Sequence, residues 1–321
     1  MIPPAPPGTP YHLLAGTPSR AWRSLVVAVA GVLFAVLTGS VVVCTALGIA
    51  FAAGRPTGRD GLPSFGDLGD TAWQLLVAAA LIPPLMFAAR AWQGRPGGTL
   101  SSVCGRLRRG WLGTCLLVAV VAELLYLGVD TMLELGTTQA TAADLGFAGW
   151  VGWRGFAVAV PVLLALVPLQ AAAEEYLFRG WLLQALGGLG RSPWIAMTVS
   201  ATLFALAHGL STVWGFVDLV AFALVAGWLA VRTGGLEAGI ALHVATNLLE
   251  MIWQAAVGDL SSTATAADSS WRTALVDVTM VVLYAVVIAR LARRRAIATG
   301  VAQPAVGGPV EALPVLVTGV A

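Results

Sequence analysis

The sequence predicts an all-α fold, a polytopic membrane bundle of about eight transmembrane helices, from three observations. Its residues are 58% hydrophobic and only 11% charged, with a mean hydropathy of +0.84, whereas a soluble domain carries roughly 25% charge. Apolar runs recur at the length of roughly 20 residues that a bilayer crossing requires. The basic residues, all 18 of them arginine, gather at one set of ends of these runs.

Taken in order, residues 1–21 hold five prolines before Tyr11 and Pro18 after it. That is too many for a helix, and the layout of a cleavable signal peptide is missing. The expectation is a disordered leader in which His12 is solvated. Three spans follow within 22–135, at 22–52, 72–93 and 111–135, and Pro83-Pro84 should kink the second. The segment Gly146–Trp153 places two tryptophans just ahead of the fourth span, which suits an interfacial belt. Residues 155–257 carry the fourth to seventh spans, at 155–187, 193–210, 213–231 and 236–257. The fourth is long because a spanning helix fuses with an extension through Gln184, and the fifth is short. A last helix at 272–291 ends in a basic cluster within 272–295, and residues 296–321, rich in Ala, Val, Gly and Pro, read as a flexible tail.

Eight spans put both termini on one side, and arginine placement says which. The inner segments collect thirteen arginines, from Arg20 and Arg23 to Arg293, Arg294 and Arg295, against Arg55, Arg59, Arg154 and Arg272 outside. Asp60, Asp67, Asp70, Asp144, Asp259 and Asp268 all fall outside. This asymmetry places both termini in the cytoplasm of a multi-pass cell-membrane protein, with membrane lipid as its immediate partner. Arginines set beside apolar runs, with a formal charge of only +2, argue against nucleic-acid binding. Cys44, Cys104 and Cys115 form neither a CxxC metal pattern nor a disulfide framework and read as small core or lipid-facing residues.

The chemistry concentrates in Glu174, Glu175 and Arg179, three formal charges inside an apolar helix. Each costs roughly 2.5–3.5 kcal/mol near a bilayer centre unless paired or used. Glu175 and Arg179, at i and i+4, share a face and can pair, whereas Glu174 projects about 100° away and needs another partner. Apart from His12, the chain has two histidines, His208 and His243, and both fall in predicted spans. His243 and Asn247 share a face at i, i+4. Counting from the inner helix ends sets Glu174, His208 and His243 at roughly 20, 22 and 10 Å depth, so they can meet if the last helix tilts or starts early. One carboxylate, two imidazoles and an amide make an acid/base and oxyanion set that a scaffold does not need. Glu123, Asp218 and Glu250 read instead as interhelical polar contacts.

The order EExxxR (Glu174, Glu175, Arg179), FxxxH (Phe204, His208) and HxxxN (His243, Asn247) resembles the CPBP family of intramembrane proteases. That family includes the CAAX prenyl endopeptidase or Ras-converting enzyme group and bacteriocin-processing and immunity proteins. The resemblance covers roughly residues 155–250 and agrees with eight spans. It implies an intramembrane endopeptidase acting on a membrane-associated or lipidated peptide or protein. By the same resemblance Glu174 activates water and His208 orients it, His243 and Asn247 stabilise the oxyanion, and Glu175 and Arg179 hold the site in register. No cofactor is required on this reading. Zinc held by Glu174, His208 and His243 is the alternative, with a fourth position left for water. Absence of HExxH and the suitability of Asn247 as an oxyanion donor favour the metal-free form. A proton-coupled transporter and a non-catalytic bacteriocin-immunity protein remain as other classes, the first weakened because no inverted repeat is evident.

Overall fold

The computed structural model describes residues 5–16, 21–58, 61–137, 149–190, 192–260 and 265–303. Helices α1 (Ala21–Ala52), α2 (Asp67–Ala79), α3 (Ile82–Trp92) and α4 (Arg109–Thr137) precede α5 (Trp153–Glu175), which continues through a π-helical stretch, Tyr176–Leu182, into α6 (Leu183–Gly187). They are followed by α7 (Trp194–Ala207), α8 (Val213–Thr233), α9 (Glu237–Val257) and α10 (Trp271–Arg294). Among the described residues seven stretches are long and apolar enough to cross a membrane, and α7 is a further apolar helix of 14 residues. This is a multi-pass helical membrane bundle. Leu33, Leu117, Met132 and Trp153 project from its outside, as helices facing lipid require.

The breaks have local causes. The second span divides at Ala80-Leu81, so Pro83 and Pro84 fall in the first turn of α3, where a missing N–H costs no helical hydrogen bond. The fifth span is the short α7, about 21 Å long. It stops at His208 because Gly209, at φ +88, takes the chain out of helical geometry. The π-helical stretch buries all seven of its residues, and the Ser200 hydroxyl donates to the Phe178 carbonyl at 2.6 Å.

Helix α9 sits at the centre, packed against α4, α5 and α8, while α2 lies against α5 and α10 against α4 and α8. Small residues Ala238, Gly239, Ala241 and Ala245 let its neighbours approach closely. At Gly239 a Cβ would stand 2.8 Å from a Glu175 carboxylate oxygen, so no side chain fits there. The first residue of α9, Glu237, is fully buried, held by Arg108 through Nε at 2.8 Å and Nη2 at 2.6 Å. Its helix therefore begins inside the protein.

Two expectations are corrected. Residues 5–16, expected within a disordered leader, are packed: Tyr11 is fully buried, and its hydroxyl donates to the Leu100 carbonyl. His12, expected to be solvated, is buried. Prolines had ruled out a regular helix in this segment, but order here comes from tertiary contact. Gly8 N donates to Val301 O at 2.9 Å and Val301 N to Thr9 O at 3.0 Å, so residues 296–303 are packed as well rather than part of a flexible tail. The rest of that tail, and residues 1–4 and 17–20 of the leader, lie outside the described residues. Glu123, expected as an interhelical contact, accepts from Thr246 at 3.2 Å. Cys115 is buried, and Cys44 and Cys104 are exposed.

Candidate active site

Three elements bring the site together: the end of α5 with its π-helical extension, the C-terminus of α7, and the buried first half of α9. Glu174 Oε2 stands 3.8 Å from His208 Nε2 and 3.8 Å from His243 Nε2, and it is a buried atom with no hydrogen-bond partner among the described residues. Its other oxygen accepts from Gln170 Nε2 at 2.6 Å. Gln170 in turn accepts from Asn247 Nδ2 at 3.1 Å. Asn247 is thus tied to Glu174 through Gln170.

Behind this front lie Glu175 and Arg179. Arg179 Nη1 donates to Glu175 Oε1 at 2.9 Å, and the guanidinium lies 4.3 Å from the Phe204 ring centre. Glu175 Oε1 also meets His243 Nδ1 at 3.0 Å. An arginine-paired carboxylate only accepts, so Nδ1 carries the proton of that bond. His208 Nδ1 meets the Phe204 carbonyl at 2.9 Å, another pure acceptor, so it too is protonated. Each ring therefore turns Nε2 toward Glu174. Phe222 closes the back of His243, edge-on at 5.3 Å between ring centres.

All of this lies at one end of a cavity of about 420 Å³. The cavity runs along α9 from His243 to Gln254 and reaches Leu260, Thr265 and Ala266 in the segment before α10. Among the described residues none of its lining comes from the arginine-rich end of the bundle. Every residue singled out in the sequence reaches the site: Glu174, His208, His243 and Asn247 line the cavity, while Glu175 and Arg179 are buried behind it. Gln170 was missed. Its signal was a polar side chain four residues before Glu174, hence on the same face of an apolar helix. Asp218 and Glu250, expected as interhelical contacts, line the cavity, and Asp277 joins them.

Residues 155–249 match the family described as type II CAAX prenyl endopeptidase Rce1-like. The matched segment is similar to that family. It occupies less than a third of the chain, carries every residue of the three motifs and bears out the resemblance read from them. Over 91 residues the chain is also 34% identical to YyaK of Bacillus subtilis (strain 168), described as uncharacterized, a stretch covering 26% of this chain and 30% of that protein's length. No solved structure matches the chain.

Glu174, His208 and His243 offer three donors of the kinds that zinc takes. Glu174 Oε2 lacks a partner, and both imidazoles can turn a lone pair toward it with Nδ1 held behind, as zinc-binding histidines do. The donors stand a few tenths of an ångström wider than a bound zinc would hold them. Ligands of a tetrahedral zinc, with bonds of about 2.0–2.2 Å, stand roughly 3.3–3.5 Å apart, against 3.8 Å in both pairs here. No group of His, Cys, Asp or Glu among the described residues is arranged to hold a metal ion. No step below runs through one.

Proposed function

We propose that this chain hydrolyses a peptide bond of a membrane-associated or lipidated peptide or protein inside the bilayer. The observation that carries the reading is the unpartnered Glu174 oxygen facing two imidazole nitrogens at one end of a cavity large enough for an extended peptide segment. Glu174 Oε2 takes a proton from a water as the water oxygen attacks the peptide carbonyl. His208, with its proton committed to the Phe204 carbonyl, offers a bare Nε2 that accepts the other water hydrogen and orients the attack. Negative charge then develops on the former carbonyl oxygen. Asn247 has one amide hydrogen on Gln170 and a second for that oxygen. His243 donates from Nε2 as an imidazolium, its charge matched by Glu175 behind and Glu174 in front. Glu174 finally passes its proton to the amine as the C–N bond breaks.

The orientation we propose keeps both termini in the cytoplasm of a cell-membrane protein, because arginine crowds the ends that carry Arg108, Arg232 and Arg293. The cavity then opens at the opposite, arginine-poor end, beside Thr71 and Thr265. A substrate segment would enter from that side.

The test is release of fragments from a library of lipid-anchored peptides by purified protein in vesicles, beside Glu174→Gln. That variant keeps size and polarity but removes the base, so turnover should fall by on the order of 10²–10⁴. Exhaustive chelation should leave the wild-type rate unchanged. Loss on chelation with recovery on adding Zn²⁺ would move the mechanism to metal, and absence of turnover across the library would favour an immunity-type binding role.

A further inference from the structure

We infer that the cavity holds a recognition site for a cationic side chain of the peptide, formed by Asp218, Asp277 and Glu250. The inference rests on the peptide-cleaving reading for the identity of its ligand, but not for the site itself. These carboxylates reach the cavity from α8, α10 and α9. Among the described residues no arginine lines it, the chain contains no lysine, and the nearby Arg179 is turned away onto Glu175 and Phe204. Asp218 is 4% exposed, and its Oδ1 has no hydrogen-bond partner among the described residues. Asp218 and Asp277 interact side chain to side chain. Further acidity stands close behind, since Glu123 packs on Thr246 beside the same wall.

An interhelical polar contact pairs a donor with an acceptor, as Thr246 and Glu123 do. Asp218 and Asp277 are joined differently, since two carboxyl groups can hydrogen-bond only through a shared proton, whose place a cation can take. In a low dielectric such a pair cannot be doubly ionised unless a cation joins it. A guanidinium or ammonium supplies that charge, and the planar fork of arginine can serve two carboxylates at once. The cavity belongs to a hydrolase site whose other end already binds the reacting amide, so the cation belongs to the same peptide. Asp218 lies one helical turn from Phe222, which packs on His243, and Glu250 lies two turns along α9 from His243, about 10 Å. At roughly 3.3–3.6 Å per extended residue, the cationic side chain sits two or three residues from the scissile bond.

The experiment uses full-length protein in vesicles and apolar, lipid-anchored decapeptides with one arginine walked along the sequence, each beside its citrulline counterpart of equal shape and no charge. Binding is read on Glu174→Gln, so that it does not depend on turnover, and cleavage on the wild type. One register of the arginine series should bind about 10- to 100-fold tighter than its citrulline partner, the range of a buried charge-assisted pair. In Glu174→Gln carrying Asp218→Asn and Asp277→Asn as well, that ratio should collapse toward one. Should this combination fail to fold, Glu250→Gln on the same background should still lower the ratio several-fold. A ratio near one at every register, or a ratio indifferent to these replacements, overturns the site. A preference for arginine with no cleavage by the wild type refutes the protease reading and leaves the cation site standing. Cleavage without any preference does the reverse.

Discussion

Arg179→Ala tests whether the buried charges form one unit. Glu175 is fully buried and Arg179 nearly so, and Glu175 Oε1 receives both Arg179 Nη1 and His243 Nδ1. The backbone of Gly239 crowds Glu175 Oε2 so closely that a Cβ there would meet it at 2.8 Å, which limits the room for a compensating water. Removing the guanidinium therefore leaves a carboxylate with one neighbour and little access to solvent, at a cost of about 3–5 kcal/mol. Loss of the guanidinium from the Phe204 face adds about 1–2 kcal/mol. Replacing both partners, Glu175→Gln with Arg179→Gln, removes the uncompensated charge and leaves only imperfectly paired amides, at about 1–3 kcal/mol. The double variant should thus be more stable than Arg179→Ala by on the order of 2 kcal/mol. Thermal unfolding in detergent, followed by size-exclusion recovery, measures the difference. A double variant no more stable than the single one would refute the account of Glu175 as a carboxylate stabilised mainly by Arg179.

Gln170→Met keeps the bulk of the side chain but frees Glu174 Oε1 and Asn247 Nδ2 from their shared partner. The expected result is a fall in kcat of about 10–10²-fold with KM nearly constant, and an unchanged kcat would remove Gln170 from the positioning role. On a Cys44→Ala background, the exposed native Cys104 should react with an impermeant maleimide only after the membrane is opened, whereas a cysteine at Asp259 should react in intact cells. The opposite pattern inverts the orientation. Burial lowers the pKa of His12 in the folded protein, below its usual value near 6.5. Docking of residues 8–14 should therefore be at full strength above about pH 6.5 and weaken as pH falls through the folded value; His12→Phe should abolish this response in hydrogen exchange.

What the sequence made legible was what hydrophobic length and isolated charge can signal. Span positions, the break at Pro83-Pro84 and the convergence of Glu174, His208, His243 and Asn247 follow from apolar runs and from polar groups too costly to leave in lipid. The packing of Tyr11 under Leu100, and of residues 8–9 beside Val301, did not, because it depends on contacts between segments 89 residues apart in the first case and nearly 300 in the second, which leave no periodic trace. Gln170 was hidden for a related reason: a neutral amide in an apolar helix is inexpensive enough to be an ordinary interhelical contact.

The two histidines carry this distinction furthest, since in the sequence they are equivalent imidazoles and only their Nδ1 partners separate them. A backbone carbonyl behind His208 fixes the tautomer and turns Nε2 toward Glu174. A carboxylate behind His243, itself held by Arg179, fixes the same tautomer through an ionised acceptor. In the proposed mechanism, the division of labour between orienting water and stabilising an oxyanion follows from one neutral and one charged acceptor. Glu175→Gln on its own should weaken the His243 role while leaving that of His208 intact.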